Sequence, residues 1–184
     1  MSCVLTRSRE VGCFDNIGGI KAIYLFDFVK YPLGYIKGEK GVEITYFPNI
    51  QLFKYETRNA NFSETINNDE NGVSYNQTLT FTLFKQDVIT TQQLNSLARK
   101  DFSYIVEFND GNLKMGGVYN GARIENFTID SGSSKASLNG YNITINGVEE
   151  YAAPFVFEGI FDDGYLLLQD DFYLLLQTNG KIIL

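Results

Sequence analysis

The chain has no histidine and no tryptophan, only two cysteines and three prolines. Without histidine it lacks the usual general base, the usual triad member and the commonest metal ligand. Two cysteines alone cannot complete a four-ligand zinc site. Cys3 and Cys13 are not in a C-x-x-C spacing and are expected as free thiols of a reducing compartment. No apolar run approaches the roughly 20 residues of a membrane-spanning helix. The opening MSCVLTRSREVGC has no apolar core of a secretory signal. A soluble protein made in the cytoplasm, with no membrane partner, is expected. Basic side chains are in deficit, 15 against 22 acidic, for a net charge of −7. That balance argues against a dedicated nucleic-acid binder, which needs surplus Lys and Arg to neutralise phosphates.

What remains is a chain of 184 residues, 44% hydrophobic and 20% charged, enough for one well-packed domain. Aromatics are abundant as 15 Phe and 12 Tyr. Charge is uneven along the chain. Residues 1–60 carry 8 basic and 6 acidic groups, whereas residues 123–184 carry 3 and 9. The acidic end would repel polyanions or simply form a solvated face.

Turn chemistry predicts an all-β fold. Asn-Gly begins at Asn71, Asn120, Asn139, Asn146 and Asn179, and Asp-Gly at Asp110 and Asp163. Such dipeptides accept the positive φ that tight hairpin turns demand. Between them apolar residues alternate, most clearly in Val73, Tyr75, Gln77, Leu79, Phe81 and Leu83, with Ser74, Asn76, Thr78, Thr80 and Thr82 in between. That is a strand with one packed and one wet face. Residues 22–29 are apolar on both faces and read as a doubly buried strand. Further strands are expected around Val42–Tyr46, Ile50–Phe53, Tyr104–Phe108, Leu113–Met115 and Tyr141–Ile145. One helix is expected at about 90–100, from a capping pattern of Thr90 with Gln93 and an apolar face of Leu94, Leu97 and Ala98. The fold class is therefore a β-sandwich or small barrel with one flanking helix.

Residues 30–41 read as a long loop carrying Tyr31, Leu33, Tyr35 and Ile36. It is either a contact element or a loop folded onto its own core. The C-terminal arm, 151–184, holds YLLLQ at 165–169 and again at 173–177, followed by Asn179-Gly180. It reads as an apolar β-hairpin arm that a neighbouring subunit would cover, through Leu166, Leu168, Leu174 and Leu176. The acid pairs Glu149-Glu150, Asp162-Asp163 and Asp170-Asp171 read as solvated turn residues. Adjacent strand residues face opposite ways and cannot form a glycosidase pair. Asn67, Asp69, Asn71 and Gly72 read as a hairpin tip rather than a calcium loop. Four N-x-[ST] sequons, at Asn61, Asn76, Asn126 and Asn142, read as ordinary strand and turn residues. No catalytic residue, metal site or cofactor site is singled out, and no enzyme is expected.

Two stretches together resemble virion proteins of tailed bacteriophages. CFDNIGGIKAIYLFDF at 13–28 is similar to their opening, and residues 101–150 to their central stretch. Gly117 through Gly121, Ser131-Gly132 and Asn139 to Glu149 carry the second match. The resemblance implies a tail-tube-like sandwich over 1–150, self-assembling into stacked rings, commonly hexameric, around a channel for DNA. Loop 30–41 would bridge subunits or rings. Other tail or neck proteins would be partners, and DNA would pass without specific binding. The protein would reside in the virion tail. Acids from turns, Asp162, Asp163, Asp170 and Asp171, would then be candidates for a negative channel lining. A neck or terminal ring component of the head–tail connector is an alternative. A monomeric receptor- or carbohydrate-binding sandwich is another.

Overall fold

The computed structural model describes residues 18–28, 35–38, 41–44, 53–57, 59–70, 72–134, 137–156, 177–178 and 181–182. For 35–38, 41–44, 177–178 and 181–182 the description is of the backbone alone. The fold is all-β with a single short helix. The strands are β1 (Ile20–Asp27), β2 (Tyr35–Gly38), β3 (Gly41–Ile44), β4 (Phe53–Glu56), β5 (Ala60–Asp69) and β6 (Gly72–Phe84). After helix α1 (Val88–Leu97) come β7 (Phe102–Phe108), β8 (Leu113–Gly116), β9 (Arg123–Asp130) and β10 (Gly140–Glu149). The short strands β11 (Phe155–Val156), β12 (Gln177–Thr178) and β13 (Lys181–Ile182) follow.

Seven strands form one sheet in the order β2-β3-β11-β8-β7-β1-β4, antiparallel except for the β11–β3 pair. Four form a second, antiparallel sheet in the order β5-β6-β10-β9. The sheets face each other across one core. Ile23 and Leu25 of β1 and Tyr104 and Val106 of β7 meet Leu79 and Phe81 of β6 and Ile143 and Ile145 of β10. The larger sheet is also buried on its far side, where Ala22, Tyr24, Phe26, Ile105, Leu113 and Met115 cluster. This explains why β1 is apolar at nearly every position, while β6 alternates between buried and half-exposed residues from Gln77 to Phe81.

The helix begins two residues earlier than its sequence pattern suggests. Asp87, not Thr90, is the N-cap, and its carboxylate accepts the Thr90 amide at 2.7 Å. Asp and Thr compete for this role, and the ionised carboxylate is the stronger acceptor. Leu94 and Leu97 anchor the helix in the core, and Ala98 is its C-cap. Lys85, at φ 68°, turns the chain from β6 toward the helix.

Three further expectations are corrected. Residues 30–41 are not all loop, because β2 pairs antiparallel with β3 from Tyr35↔Ile44 to Gly38↔Gly41. Asn146-Gly147 is no turn but lies inside β10. A Cβ at Gly147 would fall 3.3 Å from the Ala122 side chain and the Gly121 carbonyl oxygen, so glycine serves close approach there. Glu149 is not solvated but 2% exposed. In the C-terminal arm β12 pairs with β13 as Gln177↔Ile182 and Thr178↔Lys181. Cys3 and Cys13 lie outside the described residues. Among the described residues no helix is long and apolar enough to cross a membrane.

Three substitutions test this packing and the helix cap. The Tyr104 ring lies over Gly116, where a Cβ would come within 2.2 Å of its Cζ. Gly116→Ala should therefore cost about 1–3 kcal/mol through overpacking, read from urea unfolding. Asp87→Ala should lower the unfolding midpoint more than Thr90→Ala does, because only the former removes the helix cap.

Candidate functional site

The four-stranded sheet has two unlike faces. Its inward positions supply the core, and its outward positions are mostly Ser, Thr and Asn, with Phe84, Val148, Asp69, Asp130 and Arg123 toward the strand ends. On β6 the outward residues are Ser74, Asn76, Thr78, Thr80 and Thr82. The strand register aligns them across the sheet. One row runs Asn61–Thr80–Thr144–Asn126, and the next Ser63–Thr78–Asn146–Arg123. Thr82 donates from its hydroxyl to the Asn142 side-chain oxygen at 2.9 Å. The one basic group in these rows, Arg123, pairs with Asp101. All four sequon asparagines, Asn61, Asn76, Asn126 and Asn142, are on this face. The sequon spacing of two is the period of a strand, so Asn and Thr of one motif point the same way.

Among the described residues no strand lies beyond β5 or β9: β5 pairs only with β6, and β9 only with β10. The eight residues of β9 and ten of β5 thus present unpaired backbone edges.

Behind the hydroxyl face, one end of the interior is polar. Glu149 closes β10, and both its carboxylate oxygens accept the backbone N–H groups of Tyr119 and Asn120 at 3.1–3.3 Å. It thereby holds the connection between β8 and β9. Glu64 of β5 accepts the Ala153 amide at 2.7 Å and the Gln77 side-chain amide at 3.2 Å. Lys114 approaches the same carboxylate at 4.0 Å. Gln77, 1% exposed, in turn accepts the Gly117 amide at 3.2 Å. The Tyr104 hydroxyl is buried with no hydrogen-bond partner among the described residues. Burial, with the charges of Glu64 and Glu149, raises its pKa. These groups fasten two crossing connections to the sandwich, and they lack the arrangement of a nucleophile with its base.

At the opposite end a groove of about 600 Å³ opens between β4 and the end of β6. Lys21, Lys54, Lys85, Tyr55, Phe84 and Tyr141 are among the residues lining it. Lys21 is paired with Glu107, and Lys54 with Glu56 at 3.1 Å. Tyr55 donates to Gln93 of the helix at 3.2 Å, and burial pushes its hydroxyl up to about 12.

Of the residues singled out from sequence, Tyr35 and Ile36 lie on β2, and only their backbone is described. Tyr31, Leu33, Leu166, Leu168, Leu174 and Leu176 lie outside the described residues, as do Asp162, Asp163, Asp170 and Asp171. The hydroxyl face was half visible in the sequence, as the wet side of β6. Its extension onto β5 and β9 was missed. Glu64 interrupts the apolar alternation of β5, and a bulge between Ile124 and Asn126 breaks the period of β9.

Burial away from water pushes the Glu149 carboxyl up to about 7, and the charge of Glu150 adds to this, against the pull of the N–H groups of Val118, Asn120 and Gly121. The folded state then holds this proton more tightly than the unfolded chain, whose carboxyl titrates near 4.5. The associated stability is present in full below about pH 4.5 and is lost as pH rises through about 7. Urea unfolding over this range should show a steeper loss for the native chain than for Glu149→Gln. Parallel curves would contradict the assignment.

Compared with protein-family models, curated proteins and solved structures, the chain matches none.

Proposed function

We propose that the chain is a structural subunit of a tailed-bacteriophage virion, assembling into rings of a tail tube through which DNA passes. The observation that carries this reading is the four-stranded sheet, open at both edges among the described residues and faced with hydroxyl and amide groups. Open edges invite pairing with another chain unless they are blunted or covered. Joining β9 of one copy to β5 of the next would extend the sheet around a ring. Closure of that ring would pair both edges of the smaller sheet.

The face also suits a channel wall. Phosphates bind where Lys and Arg release condensed counterions. The aligned rows offer one Arg, and Asp101 neutralises it. Ser, Thr and Asn give a passing duplex no charge to grip. Bases stack on aromatic side chains, and the described residues place one on this face, Phe84, at the end of β6. The resemblance of residues 13–28 and 101–150 to virion proteins supports the same reading. A neck or connector ring would share this architecture.

Native mass measurement over a concentration series tests the proposal. Closed rings of fixed copy number, alone or stacked in whole multiples, with no measurable affinity for duplex DNA at physiological salt, are expected. A monodisperse monomer at every concentration, or salt-dependent retention of duplex DNA, would contradict it.

A further inference from the structure

The strands of the smaller sheet are longer than the layer that covers them. β5 and β6 have 10 and 13 residues, against 8 and 7 for β1 and β7. The β5–β6 hairpin therefore overhangs the sandwich. Its inward residues show this directly. Leu79 is 0% exposed, whereas Val73 on the same face of β6 is 49% exposed and Ile66 of β5 is 61% exposed. The tip beyond them pairs Asp69 with Gly72 and carries Glu70. Across residues 60–84 the charges are Glu64, Asp69 and Glu70, with no basic residue.

The other end of β6 is the counterpart. Phe84 is 59% exposed, and the first helical turn adds Val88 at 72% and Ile89 at 62%. Beside them lies the groove lined by Lys21, Lys54 and Lys85 together with Glu56 and Asp87, where Lys21 is paired with Glu107 and Lys54 with Glu56. Neither Lys85 nor Glu70 makes an ion pair within 4.0 Å among the described residues. The two ends are separated by the length of β6, roughly 40 Å at ~3.3 Å per residue. An acidic, apolar projection and an apolar-rimmed groove bearing Lys85 thus lie at opposite ends of one molecule.

From this polarity we infer that the β5–β6 hairpin tip of one copy docks into the groove beside α1 of a second copy, joining subunits head to tail. The occupant is a second copy because the charge and apolar character of the projection match this chain's own groove. A single copy cannot satisfy the match, since both surfaces lie at the ends of the same rigid strand. Such a heterologous contact, directed along β6, propagates as a stack where its rotation does not close a ring. The inference rests on the ring reading above, in that the second copy belongs to the next ring.

A charge swap tests the contact. Glu70→Lys and Lys85→Glu are exposed changes at the two ends and are made in the full chain, singly and together. Sedimentation over a concentration series reads the stacking. Each single variant should weaken end-to-end growth by about tenfold or more, and the double variant should recover it. Circular dichroism and the unfolding midpoint confirm that each variant folds. Equal stacking in all four proteins would overturn the inference. So would growth that stops at two copies, which marks a closed dimer. Single rings of fixed mass that never stack would overturn this inference alone and leave the ring reading standing. A monomer at every concentration would overturn both.

Discussion

β6 (Gly72–Phe84) sets the register for the smaller sheet, because it pairs with β5 from Gly72 to Phe81 on one side and with β10 from Tyr75 to Phe84 on the other. Leu79, Phe81 and Leu83 go into the core, and the Thr residues between them go out. A slip of one residue would send every hydroxyl inward and every apolar group to solvent, so the alternation fixes the pairing. The same strand begins in the overhanging tip and ends at the groove. The flat hydroxyl face, the open sheet and the opposed ends all descend from this one run of thirteen residues.

Polar groups behind that face carry a cost that the structure offsets by pairing. A buried carboxylate is tolerated only when it finds donors. Glu149 takes the amides of Tyr119 and Asn120, and Glu64 takes those of Ala153 and Gln77. Each thereby fixes a connection next to a sheet boundary. The Glu149 clamp precedes β9, the open edge on which lateral assembly depends in the proposed ring. Stability and assembly are thus linked through the same few residues.

The sequence revealed the parts in which local pattern and tertiary burial agree. β6 alternates, β1 is apolar on both faces, and β7–β8 turn through Asp110-Gly111, where Gly111 has φ 85°. Other parts were hidden by tertiary causes. β9 was obscured by its bulge, and β5 by Glu64, which sits at an inward position that a pattern search expects to be apolar. Gly147 imitates a turn signal but serves the close approach of β10 to Ala122. Glu149 imitates a surface acid because its donors come from a connection about thirty residues away in sequence. The groove joins β1, β4, β6, α1 and β10, so no single stretch of sequence could announce it.

The central claim is that the smaller sheet continues from copy to copy, with its Ser, Thr and Asn face turned to an enclosed channel. Electron microscopy of the assembled protein, at a resolution that separates strands, tests it directly. The account predicts β9 of one copy beside β5 of the next, with Thr80 and Thr144 facing the lumen. A ring whose lumen is lined by the larger sheet, or by Lys and Arg, would contradict it.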